Sequence, residues 1–198
     1  MHWLITGDNR YEDALTGICN YLLVRIAASG DKGCITGGPD VSWCSVEHAI
    51  DSYFVLHLAA YLTGNDDFRV GASTIADSLY GAHIGVSAHM RFNQGYDDTY
   101  FAMGVSSWGS VFLLNNDETP PAGVDSAARV SGALSHLDAL YLSDQVCVVN
   151  GETATGYGPY ADASNSFHAE AVWSEGTLGV ALAYRRNGDL ARANSVVD

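Results

Sequence analysis

Apolar residues recur at helical spacing in several stretches of the chain, and each stretch ends in a short turn from which a second helical run departs. In the first, Trp3-Leu4-Ile5 leads through Gly7-Asp8 to Ala14-Leu15 and the run Ile18 to Leu23. In the second, Ala60-Tyr61-Leu62 leads through Gly64-Asn65 to Ala72, Ile75-Ala76 and Leu79-Tyr80. In the third, Ala183-Tyr184 leads through Gly188-Asp189 to Leu190, Ala191 and Ala193. A weaker relative, Leu113-Leu114 followed by Asn115-Asn116-Asp117, precedes Pro120-Pro121 and a helical run over 122–142. Gly7, Gly64 and Gly188 suit the left-handed residue that ends a helix, and Asp8, Asn65 and Asp189 suit capping of the next. Short links of this kind join antiparallel neighbours, so the pattern predicts an all-α fold of repeated helical hairpins.

Residues 1–5 read as the last turn of a helix, and 190–198 as the opening turns of another. The expectation is a single domain over 1–198, truncated within the repeat at both ends. Longer stretches rich in Gly, Asp, Asn and aromatics, at 30–44, 83–101 and 143–172, are expected as loops, with Val146 to Val149 a candidate short strand. All three precede a helical run, which gathers them at one end of the stack.

The three helix starts carry the chemistry. The first is Trp43-Cys44-Ser45-Val46-Glu47-His48-Ala49-Ile50-Asp51-Ser52-Tyr53-Phe54. The second runs from Asp97-Asp98-Thr99-Tyr100 to Ser106-Ser107-Trp108-Gly109, and the third is Val172-Trp173-Ser174-Glu175-Gly176-Thr177-Leu178. Each has a tryptophan, a serine suited to capping, and acidic residues in or just before the first turns. Glu47 and Asp51 are four apart and share one helix face, with His48 and Ser52 beside them. The run from Tyr53 to Leu62 is apolar except for His57, whereas 66–80 is amphipathic. This contrast predicts an inner and an outer ring of helices, the inner N-termini lining a cavity.

Taken singly, each residue has a structural explanation. Glu in a first turn is favoured by the helix dipole and by capping boxes. A lone His48 suits a hydrogen-bonded core position, and Trp43, Trp108 and Trp173 suit packing. The coincidence of aromatic, acid and hydroxyl groups at every inner-helix start is what points to a ligand. Sugars offer apolar faces that stack on aromatic rings and hydroxyls that need carboxylate and amide partners. Glycoside hydrolysis commonly uses two carboxyl groups, one protonated and one ionised.

Charge narrows the partner. The 9 Lys and Arg stand against 23 Asp and Glu, a formal net charge of -14. That balance argues against nucleic acid as a partner, because phosphate binding relies on cations, and against an anionic membrane surface. No apolar stretch has the roughly 20 residues of a membrane span. Cys19, Cys34, Cys44 and Cys147 lack paired CxxC spacing. Cys34 and Cys44 read as a loop disulfide in an exported protein or as two buried thiols, the second being the plainer, so the compartment stays open. No metal and no cofactor are expected: His48 and Asp51 lack a companion ligand set, and Asp97-Asp98 does not fit an EF-hand loop.

The segments Ser45 to Phe54, Ser106 to Gly109 and Trp173 to Tyr184 resemble inner-helix starts of the six-hairpin glycosidase superfamily, the (α/α) toroids. The resemblance implies part of an (α/α) toroid with the long Gly- and aromatic-rich loops at one end, and carbohydrate as partner. It implies an enzyme of the glycoside hydrolase, phosphorylase, polysaccharide lyase or sugar epimerase kind. The leading expectation is a glycoside hydrolase with Glu47 and Glu175 as the carboxyl pair and Asp51 and Asp98 as alternates. His48, Trp43, Trp108, Trp173, Tyr157 and Tyr160 are the expected sugar contacts, the tyrosines lying in the loop Thr155 to Asp162. A non-catalytic helical-repeat scaffold or sugar-binding module is the alternative. A lyase or epimerase of uronic acids ranks below both, since Lys and Arg are scarce in the helix-start loops, Arg91 standing in the second of them.

Overall fold

The structure, a computed structural model, describes residues 2–38, 40–81, 92–95, 102–149, 152–160 and 172–197. Its helices are α1 (His2–Thr6), α2 (Glu12–Ala28), α3 (Val46–Thr63), α4 (Asp66–Tyr80), α5 (Met103–Asn115), α6 (Ser126–Leu140), α7 (Ser174–Arg186) and α8 (Leu190–Val197). Strands β1 (Leu142–Val149) and β2 (Glu152–Tyr157) stand between α6 and α7. Three of the four expected hairpins are present as α3/α4, α5/α6 and α7/α8, each a pair of neighbours in contact, whereas α1 and α2, joined through Gly7, do not pack as such a pair. Helix α2 packs on α3 and α4, and α5 packs between α3 and α7.

The inner helices are those whose sequence leaves no polar stripe. On α5 every residue from Met103 to Leu113 except Trp108 is buried, as expected of a helix surrounded by others. Outer α4 buries Phe68, Ala72, Ile75, Ala76 and Leu79, the spacing of a single apolar face. Tyr53 of α3 meets Phe112 of α5 edge-on, ring centroids 5.1 Å apart. Such a pair adds about 0.5–1.5 kcal/mol to what burial supplies.

The α5–α7 seam is built differently, from small residues. Ser107 and Ser110 are buried and donate back to the Gly104 and Ser106 carbonyls within α5, leaving no unpaired hydroxyl. A Cβ on Gly179 of α7 would lie 3.3 Å from Ser107 Oγ, so the two backbones cross closely there.

The glycine turns behave as the pattern predicts. Gly7, Gly64 and Gly188 have φ of 71°, 69° and 85°. Asn65 accepts from the Asp67 amide at 2.9 Å and Asp189 from the Arg192 amide at 2.9 Å, capping α4 and α8. Asp8 does not cap. Helix α2 begins only at Glu12, and Asp8 instead holds the Arg10 amide and guanidinium. The helical run expected over 122–142 is shorter, because Gly123 (φ 85°) makes a turn and Asp125 caps α6 by accepting from the Ala128 amide. The strand expected at 146–149 begins earlier and belongs to an antiparallel hairpin, with Leu142 opposite Tyr157 and Val149 opposite Glu152.

A polar clasp fixes the last hairpin. Arg192 of α8 reaches Asp138 of α6 at 3.0 Å, and the Tyr157 hydroxyl of β2 donates to the same carboxylate. Burial alone would raise the Asp138 carboxyl, but the hydrogen bonds from Tyr157 and Arg192 outweigh it and hold it below the usual range.

Candidate active site

The starts of α3, α5 and α7 converge because short backbone links knit the loops before them. The Val46 amide donates to Gln94 O at 3.0 Å, the Met103 amide to Pro159 O at 3.0 Å, and the Trp173 amide to Tyr157 O at 2.9 Å. Isolated bridges join Thr36 to Cys44, Ser45 to Gly95 and Ala102 to Tyr160. Between these starts opens a cavity of about 450 Å³, with Trp43, Glu47, His48, Tyr160 and Trp173 on its walls.

Trp43 is positioned by a closed loop. Cys34 and Cys44 are joined as a disulfide, Cα atoms 5.9 Å apart, where the plainer reading of the sequence was two thiols. Both side chains are buried, and the Thr36–Cys44 bridge closes the loop two residues from Cys34, which brings the pair within disulfide reach. Within this loop the Gly37 amide donates to Trp43 O at 3.0 Å. The indole lies against Gly37, where a Cβ would come within 2.4–2.7 Å of the six-membered ring. Trp43 remains 45% exposed, which leaves its other face to a ligand.

Trp173 is held by two glycines that sequence reasoning passed over. A Cβ on Gly104 would lie 3.3 Å from its ring, and one on Gly176 2.5 Å. Both residues are buried in the first turns of α5 and α7. The same imagined Cβ on Gly104 is 3.8 Å from Glu47 Oε2. Gly104 therefore marks the floor of the cavity, with the carboxyl and the indole on either side.

Ser45 caps α3 by accepting from the His48 amide at 3.2 Å, which sets Glu47 in the first turn. The Glu47 carboxyl is pushed above the ordinary glutamate value. Burial contributes most, then the charge of Asp51, with His48 opposing and Glu175 adding a further push. Asp51 is likewise raised, by burial first, with His48 opposing. Glu47 is thus the cavity carboxyl, and Asp51 and Glu175 are exposed charges near it that are not on the cavity wall. The His48 ring reaches toward the Thr36 carbonyl, Nδ1 at 3.5 Å.

Other expected contacts fall elsewhere. Trp108 is half-buried against the core, because it sits in the second turn of α5 beyond the cavity floor. Tyr157 is fully buried with its hydroxyl in the Asp138 clasp, and only Tyr160 of the two loop tyrosines reaches the cavity. Ser106 and Ser174 do not cap: α5 starts at Met103 behind Ala102, and α7 starts at Ser174 behind Trp173, neither with a side-chain cap. Asp98, with Asp97 and Arg91, lies outside the described residues. Gln94, which nothing in the sequence singled out, also lines the cavity; its Oε1 is shut off from solvent and has no partner among the described residues. Among those residues no group of three or more His, Cys, Asp or Glu is arranged to hold a metal.

No protein-family profile matches the chain, and no curated protein is similar to it. Among solved structures it is similar to an unsaturated glucuronyl hydrolase of the six-hairpin glycosidase fold, an aspartate-to-asparagine variant with dGlcA-Glc-Rha-Glc. The match has a TM-score of 0.60 and 18% identity, and covers 98% of this chain and 57% of that one. At that identity the likeness is one of fold: helical hairpins arranged as in an (α/α) toroid, a fold used by carbohydrate-active enzymes.

Proposed function

We propose that the protein is a glycoside hydrolase whose proton donor is Glu47. The observation that carries this reading is the Glu47 carboxyl on the wall of a cavity that Trp43 and Trp173 also line, held toward its neutral form by burial and by two neighbouring negative charges. A carboxyl of that kind suits general acid catalysis near neutrality, whereas its partner has to stay ionised. The tryptophan faces supply stacking for a pyranose ring, and Gln94, His48 and Tyr160 supply polar contacts around it.

In the reaction, Glu47 gives its proton to the glycosidic oxygen as the bond from that oxygen to the anomeric carbon breaks. The electron pair leaves with the oxygen, and positive charge develops on the sugar ring. The second carboxylate we assign to Glu175, with Asp51 and Asp98 as alternates: standing back from the cavity wall, it stays ionised, stabilises that charge and takes the proton of the water that attacks the anomeric carbon. The products are two free sugars, with one water consumed.

The test is hydrolysis of a panel of neutral and acidic oligosaccharides by the wild type, Glu47→Gln and Glu175→Gln. Loss of a general acid costs about 10²–10⁴-fold in rate. Retained turnover in both variants would overturn the assignment. Binding without turnover by the wild type would instead identify a sugar-binding module.

A further inference from the structure

The loop that carries Trp43 is fixed at two places, its base by a covalent bond and its tip from a neighbouring helix. The disulfide closes the base, where Cys34 meets Cys44. The tip seats the cavity wall: the Trp43 indole lies on Gly37, whose amide donates to Trp43 O at 3.0 Å. The residues on either side of Gly37 are both held by one side chain, Arg25 of α2. Its Nη2 donates to the Thr36 hydroxyl at 2.6 Å and to the Gly38 carbonyl at 3.3 Å. The Thr36 hydroxyl in turn donates to Gly38 O at 2.9 Å. The Thr36 carbonyl faces His48 Nδ1 at 3.5 Å, so the anchored residue also stands beside a second side chain of the cavity.

A cation in the last turn of a helix has a plain explanation in the helix dipole. The dipole does not account for where this guanidinium goes. The Ser29 amide and hydroxyl meet carbonyls at the end of α2, while Arg25 spans to the loop. The disulfide does not do the same work, because it constrains the loop's ends, and Gly37 has no side chain with which to pin the tip. Hydrogen bonds from a charged donor are stronger than neutral ones, which suits a single residue holding two points. Arg25 does not line the cavity, so its influence on a ligand passes through Gly37 and Trp43.

We propose that Arg25 is a positioning residue of the cavity: from outside it, Arg25 holds the tip over 36–38 and so fixes the Trp43 wall against which a ligand stacks. The inference rests on the carbohydrate reading above only for the identity of that ligand. Without Arg25 the indole loses its fixed seat, and the ligand loses a preorganised face. Glu47 keeps its place, since Ser45 caps α3 through its own hydroxyl.

The experiment uses Arg25→Met, which removes both hydrogen bonds and keeps the apolar stem. Thr36→Val cuts the same contact from the loop side, leaves α2 as it is, and serves where Arg25→Met does not fold. The indole N–H resonances of Trp43 and Trp173, assigned with Trp43→Phe and Trp173→Phe, report on the two walls without a ligand. In both variants the Trp43 resonance is expected to move or broaden, while that of Trp173, seated on Gly104 and Gly176, stays. On a glycan that the wild type cleaves, KM is expected to rise about three- to tenfold with kcat held within about twofold, the pattern of lost uniform binding. The double variant should do no more than the stronger single one, because both cut one contact. A lower melting temperature with the Trp43 resonance and KM both unmoved would overturn the inference and leave Arg25 a tie between α2 and the loop. If the wild type cleaves no glycan, the hydrolase reading fails, and the two resonances alone decide for or against Arg25.

Discussion

Gly104→Ala separates what holds the fold from what forms the site. Gly104 is the second residue of α5, so alanine there gains about 0.5–1 kcal/mol of helix propensity. Against this, the added methyl meets the Trp173 ring at 3.3 Å, a contact relieved when the indole moves by a few tenths of an ångström. Trp173 is only half-buried and borders open volume, so that shift costs about 1 kcal/mol, the low end for overpacking. The two terms nearly cancel. For a chain of this size, a residual of 1 kcal/mol moves the melting temperature by about 2–4 °C. Function should not be spared. The methyl sits 3.8 Å from Glu47 Oε2 and occupies the floor that a glycosidic oxygen has to approach. Misplacement of about 1 Å at such a centre costs on the order of 10²-fold, so a shift of a few tenths should cost a few-fold in rate. The assay is thermal melting alongside kcat/KM on a glycan that the wild type cleaves. A fall of more than about 10 °C would mean the α5–α7 seam refuses the methyl. Unchanged kcat/KM would mean that the reacting bond does not lie over Gly104.

Glu47→Gln should stabilise the protein at neutral pH, because the native state holds this carboxyl above its unfolded value and charging it there is unfavourable. The stability difference should vanish as the pH falls below about 4, where both states bind the proton, and pH-dependent chemical denaturation reads it. Cys34→Ser with Cys44→Ser removes a link spanning 10 positions, worth about 3 kcal/mol in the chain-entropy model. Because that loop carries Trp43, sugar affinity measured by calorimetry should fall along with the melting temperature. Asp138→Ala frees Arg192 and the Tyr157 hydroxyl and should cost on the order of 1–3 kcal/mol in denaturant titration. The Asp138 contribution is present above the ordinary aspartate value and lost as the pH falls through its lowered one, so variant and wild type should converge in acid.

The hairpins and the location of the site were legible because they rest on local rules. Glycine turns, the Asn65 and Asp189 caps and the contrast between α3 and α4 are all decided within a few residues. Glu47, Trp43 and Trp173 were visible for the same reason, each standing at a helix start. What stayed hidden depends on neighbours distant in sequence. Gly104 and Gly176 read as helix-weakening residues until Trp173 is seen against both. Tyr157 and Tyr160 are three apart in one loop, yet strand pairing of β2 turns the first into the Asp138 clasp and sends the second to the cavity. The Cys34–Cys44 link needed the loop's register, and Trp108 needed the true start of α5.

The serine and glycine seam between α5 and α7 makes the cavity adjustable from outside it. The two helices that cross there carry Gly104 and Trp173 of the cavity lining, while none of Ser107, Ser110 or Gly179 lines it. Replacing Gly179 by alanine puts a methyl 3.3 Å from Ser107 Oγ, so one of the two has to give by a few tenths of an ångström. Exchange of methyl-sized groups at this joint is therefore a way to shift the spacing of the cavity's sides while every cavity-lining side chain stays as it is.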